Sequence, residues 1–164
     1  MATLGVGLLN AVVVGSSATT VISSVGTNLI IGTITTTTSS IAGMIKYLAS
    51  SNQPGISEII NMLSEIDLEF TINIIQQVVK EQNDKPLNES VKHALLGVSE
   101  ILEKINKELD SIKGAIEYHN TKYFNGWRSF SWNGNMLILK NHNEILKHRY
   151  NLLFELLKIY NKTN

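Results

Sequence analysis

Apolar and polar residues are arranged in three ways along this chain, and each predicts a different kind of element. From residue 4 to residue 48 the chain is apolar, dense in Ser, Thr and Gly, and almost free of charge. That is long enough for two membrane spans of about 20 residues each. Residues 4–22 and 29–48 are the predicted spans of a helical hairpin, with Ser23, Ser24, Gly26, Thr27 and Asn28 as its turn. Gly7, Ala11, Gly15, Thr19, Ser23 and Thr27 fall at four-residue steps, and Asn28, Gly32, Thr36 and Ser40 form a second such row. In lipid, where hydrophobic drive between helices is weak, small-residue rows let backbones approach closely. The rows at Gly7, Ala11, Gly15, Thr19 and at Gly32, Thr36, Ser40 are therefore the expected helix-packing faces. A signal peptide is a poorer fit, because the positive leading region is missing and the apolar stretch runs too long. A buried element without lipid stands as the other reading, since the run at residues 33–38 has strand propensity.

Asn52, Gln53, Pro54 and Gly55 form the clearest break, dividing an apolar segment, 1–50, from a helical domain, 51–164. Beyond it, Ile59, Ile60, Leu63, Ile66, Phe70, Ile74, Val78 and Val79 recur at helical spacing and predict one amphipathic helix over 56–82. Asn83 to Pro86 end it, and Asn88 is the expected N-cap of the next helix, with Glu89 in the first turn. There Val91, Leu95, Val98, Leu102, Ile105, Leu109, Ile112 and Ile116 alternate steps of four and three, the heptad spacing of a narrow coiled-coil-like seam. Glu100 with Lys104 and Glu103 with Lys107 are favourable pairs on its solvated faces. A last helix is predicted over 136–160, with Ile138, Ile145, Leu152, Leu156 and Ile159 on one face and Leu146, Leu153 and Leu157 beside it. The expected fold is thus all-α: an apolar hairpin, then a three-helix amphipathic bundle with an aromatic loop before the last helix.

Charge changes this picture. The chain has 164 residues with 14 basic and 14 acidic groups, yet none lies before Lys46. Residues 46–117 hold 7 basic and 12 acidic groups, and residues 118–164 hold 7 basic and 2 acidic. An acidic middle and a basic end predict steering within a bundle or between copies in an assembly. A net charge of zero argues against a nucleic-acid-binding chain.

The residues that carry chemistry are sparse. There is no cysteine, hence no disulfide, thiolate or Cys-based zinc site. His93, His119, His142 and His148 lack the spacing of a helical metal site, and no phosphate-binding glycine loop appears. The Asn-x-Ser/Thr triplets at Asn88 and Asn161 read as chance in so Asn-rich a chain. No catalytic, cofactor or metal residue is expected, and the chain reads as a non-enzyme. The aromatic segment is the most distinctive surface. Tyr123, Phe124, Trp127, Phe130 and Trp132, interleaved with Lys122 and Arg128, suit a lipid headgroup boundary, stacking on single-stranded nucleic acid, a protein contact, or a small core capping the bundle.

This order of features resembles small membrane-associated proteins of the giant-virus group of large DNA viruses. The resemblance covers the overall layout and is most specific at Trp127, Arg128, Trp132, Gly134, the stretch from His148 to Tyr150, and the run from Leu152 to Leu157. It implies a minor capsid protein between the outer capsid shell and the internal membrane, with a lipid bilayer and the major and other minor capsid proteins as partners. The seam and the aromatic segment would then be contacts in a large assembly. A second resemblance, carried by WRSFSW leading into a Leu-rich helix, is to HeLo-type bundles, which implies a membrane-permeabilising effector. In that family the first helix carries charges earlier than this chain does.

Overall fold

The computed structural model describes residues 16–51, 55–120 and 131–163. Among them the chain forms five helices and no strand: α1 (Ser16–Ala49), α2 (Ile56–Glu65), α3 (Leu68–Lys80), α4 (Glu89–Asn120) and α5 (Asn133–Thr163). The fold is all-α, as the periodicity predicts.

The first correction concerns the hairpin. The expected turn at residues 23–28 lies inside α1, which is one continuous helix of 34 residues. Nothing there forces a turn: the segment has no proline, and a glycine inside a helix costs only about 1 kcal/mol. Hydroxyls that compete with helix elsewhere are absorbed by the helix itself. Thr33 Oγ1 donates to the Leu29 carbonyl at 3.0 Å, Thr36 to Gly32 at 2.9 Å, and Ser39 to Thr35 at 2.9 Å. No helix among the described residues is long and apolar enough to cross a membrane. The predicted span at 29–48 is instead a core helix. Thr27, Ile31, Ile34, Thr38, Ile41, Ile45 and Leu48 step by four and three along its buried face, with Met44 buried beside them, so tertiary packing overrides the strand propensity of residues 33–38.

The second correction concerns residues 56–82, which form two helices. Ile66 closes α2, and Asp67 takes a left-handed conformation with φ 55° and ψ 38° before α3 begins. The packing explains the break. Ile56, Ile59 and Leu63 face inward before it, and Leu68, Ile72, Ile75 and Val79 after it, so the inward row shifts its phase at the elbow. The uninterrupted row of the prediction would have buried Phe70, which is 61% exposed.

Beyond the elbow the prediction fits closely. Asn88 Oδ1 accepts from the Val91 amide at 2.9 Å, the expected N-cap of α4. Asn28, expected in a turn, instead donates from Nδ2 to Asp84 Oδ1 at 2.9 Å, bracing a second left-handed residue. At the other end Lys113 of α4 stands 5.5 Å from the centre of the Tyr47 ring of α1. With Asn28 beside the chain just before α4, these contacts make α1 and α4 parallel. α2–α3 and α5 run the opposite way. α4 packs along both α1 and α5, while α3 packs on α1 and only lightly on α5. The bundle after residue 51 therefore has four helices rather than three, and α1 shares its core.

Candidate functional site

The eight seam residues Val91, Leu95, Val98, Leu102, Ile105, Leu109, Ile112 and Ile116 are each 2% exposed or less. The seam is spent on the chain's own core, between α1 and α5, and is closed to any outside partner. Trp132, for which a headgroup boundary, a protein contact and a small capping core were all open, is buried, and its carbonyl accepts the Met136 amide at 2.8 Å at the start of α5. Tyr123, Phe124, Trp127, Arg128 and Phe130 lie outside the described residues. Of the small rows, Gly7, Ala11 and Gly15 lie outside them too, and Thr19 falls in α1. Gly32, Thr36 and Ser40 sit on the outer face of α1, where a Cβ on Gly32 would meet nothing within 4 Å.

The last helix gives the molecule its most distinctive surface. On α5 the buried positions are Leu139, Asn143, Leu146, Leu153 and Leu157, with Tyr150 and Tyr160 packed beside them. Of the five residues predicted on one face, Ile145 and Leu156 are half-buried against the core, whereas Ile138, Leu152 and Ile159 are exposed, Leu152 at 55% and Ile159 at 62%. Polar side chains decide the orientation. Asn143 Nδ2 donates to the Ile66 carbonyl at 3.0 Å, at the end of α2 where a carbonyl lacks a helical donor. The Tyr160 hydroxyl donates to the Pro86 carbonyl, and Arg149 donates to the Gly97 carbonyl and to Glu100 Oε2, the latter at 3.1 Å. Burial pushes the Tyr150 hydroxyl above its ordinary pKa. Rotating the outer stripe inward would break these bonds.

A groove of about 480 Å³ opens at the α2–α3 elbow, walled by Ile45, Ile60, Leu63 and Phe70 with Asp67 and Glu69 among its lining. Its polar groups are carboxylates, Ser64 and Asn73, with no histidine or lysine beside them to act as a proton partner. No three metal-ligating side chains gather among the described residues. With an apolar wall and two carboxylates in its lining, the groove suits an apolar group bearing positive charge.

Charge is segregated as the sequence predicts, but little of it is neutralised between helices. Among the described residues two ion pairs join different helices, Lys140–Glu65 at 3.8 Å and Arg149–Glu100 at 3.1 Å. Four others, such as Lys92–Glu89 at 2.8 Å, link residues three or four apart on one helix. The Lys92 hydrogen bond and charge hold the Glu89 carboxyl below the usual range.

No family model matches this chain, and no solved structure matches it. It is 26% identical, over 131 aligned residues, to an uncharacterized protein of Acanthamoeba polyphaga mimivirus. The similarity covers 62% of this chain, and the chain spans 62% of that relative's length. A likeness to a giant-virus protein thus agrees with the viral part of the resemblance, while that relative carries no capsid assignment.

Proposed function

We propose that this chain is a non-enzymatic structural protein of a large DNA virus, a minor capsid component whose helical bundle binds protein neighbours in the virion. The observation that carries the reading is the outer face of α5, where Leu137, Ile138, Leu152 and Ile159 are exposed on a helix whose other face already fills the core. A well-packed bundle that retains a second apolar stripe has surface to bury against a partner. The giant-virus relative supports the viral setting, and the sparse chemistry of the groove supports binding rather than catalysis. In this reading the partners are the major and other minor capsid proteins, at a position between the shell and the internal membrane. Any contact with the bilayer then falls to residues 1–15, outside the described residues, and to the charge-free start of α1.

Quantitative mass spectrometry of purified virions, before and after detergent removes lipid, tests this. The chain should be present at structural copy number and stay with the capsid fraction. Absence from virions, or recovery only in the released lipid fraction, would overturn the reading.

The second reading, a membrane-permeabilising effector, is favoured by the outer face of α1, which is charge-free up to Lys46. Liposomes separate the two readings: a structural protein leaves vesicles sealed, whereas an effector releases an entrapped dye.

A further inference from the structure

We propose that copies of this chain associate head to tail, the outer face of α5 on one copy seating in the acidic groove at the α2–α3 elbow of the next. This deepens the assembly reading by naming the partner, and it is tested on the purified chain whether or not that chain is found in virions.

Three observations converge. The outer face of α5 exposes Leu137, Ile138, Leu152 and Ile159; Ile138, Leu152 and Ile159 share one heptad register, the spacing by which a helix lays anchors into a groove, with Ile145 between them half-buried against the core. The elbow supplies such a groove, and Phe70 at its wall is the most exposed large apolar side chain of α2 and α3. Charge then selects the pairing. Residues 56–79 carry four carboxylates, Glu58, Glu65, Asp67 and Glu69, and no basic side chain, whereas α5 carries five basic side chains and two acidic ones. Within one copy Lys140–Glu65 is the ion pair that joins these two surfaces among the described residues, leaving Glu58, Asp67 and Glu69 to face solvent. Pairing α5 with α5 would instead set two basic helices against each other. Opposite charge steers the heterologous contact and suppresses the self-matched one.

Because the two surfaces differ, one contact leaves each partner with one surface open. Growth then continues to a ring or a filament rather than stopping at a dimer.

Sedimentation velocity of the full chain at about 1 to 100 µM, a range that detects contacts of micromolar strength, gives the test. Species larger than a dimer should appear as concentration rises. They should weaken at least tenfold between about 0.05 and 0.5 M salt, as screening shortens the reach of the charges. Two substitutions at exposed positions, with circular dichroism checking that each keeps the fold, dissect the contact: Phe70→Lys at the groove and Leu152→Glu on α5. Each alone should reduce association at least tenfold. Mixed in equal amounts they should form a dimer that grows no further, since each variant retains the surface the other lacks. A parent chain that stays monomeric, a variant that assembles like the parent, or a mixture that fails to pair would each overturn the proposal.

Discussion

Replacing Asn143 with alanine tests how the elbow is held. This side chain is fully buried, and its Nδ2 donates at 3.0 Å to the Ile66 carbonyl where α2 stops. Losing that donor leaves a helix-end carbonyl without a partner, a cost of about 1 to 3 kcal/mol. Part is returned, because Asn143 Oδ1 is itself buried without a partner among the described residues, and alanine removes it. The net expectation is a loss of about 1 to 2 kcal/mol, or roughly 2 to 8 °C in melting temperature for a chain of this length. Asn143→Leu keeps most of the side-chain volume while deleting the bond, so it separates the hydrogen bond from the cavity. Thermal and urea unfolding give the magnitude, and amide hydrogen exchange across residues 62–67 should quicken in both variants. Asn141→Ala, two residues from the same contact and on the exposed face, should stay within about 0.5 kcal/mol of the parent. If Asn143→Leu proves as stable as the parent, and exchange at the elbow is unchanged, the amide does not hold the break between α2 and α3.

Other consequences are open to the same measurements. Ile34→Ala and Leu102→Ala each truncate a fully buried side chain on the seams of α1 and α4, and each should cost about 2 to 5 kcal/mol in urea unfolding. Asp67→Val forces a β-branched residue into the left-handed region and should cost about 1 to 2 kcal/mol, while Asp67→Gly should change stability by less than about 1 kcal/mol. Burial raises the Tyr150 pKa, so the unfolded chain loses this proton first and stability should fall as pH rises above about 10; Tyr150→Phe should flatten that alkaline slope. Gly32→Ala meets open space on the outer face of α1 and should stabilise the isolated chain by up to about 1 kcal/mol by helix propensity.

The sequence showed most of the helices but not all of their inward faces. The α4 seam was legible because every position from Val91 to Ile116 is Val, Leu or Ile. The same alternation of four and three runs through α1, but Thr27 and Thr38 occupy two of its seven positions, and the small residues around it gave the competing look of a lipid-packing row. A heptad search that admits threonine would have found it. Thr38 can sit inside because its hydroxyl is satisfied locally, donating to the Ile34 carbonyl at 2.9 Å. The elbow was harder to foresee. Helical spacing joins Ile66 to Phe70 without a gap, and only the burial of Leu68 and Ile72 shows that the phase has shifted. Of the candidate surface, charge segregation was legible as a count along the chain, whereas the groove exists only once α1 is brought against the elbow.

The orientation of α5 shows why counting apolar residues misplaces a helix. Its two stripes are nearly equal in apolar content, and Ile138, Ile145, Leu152 and Ile159 form the more regular one, of which Ile145 alone is half-buried against the core. The stripe that turns inward contains Asn143, Tyr150 and Tyr160, and two of these reach carbonyls on other parts of the chain. Those bonds are lost if the helix rotates, whereas the outer stripe carries no polar group that needs a partner. Fully burying an aliphatic side chain contributes about 1.5 to 3 kcal/mol. Leu152 and Ile159, each more than half exposed, together with Ile138, therefore retain several kcal/mol of stabilisation that the folded monomer does not use. The polar residues fix which stripe the core takes, and by doing so they leave Ile138 and Leu152 of the other stripe exposed, as apolar surface that a protein contact would bury.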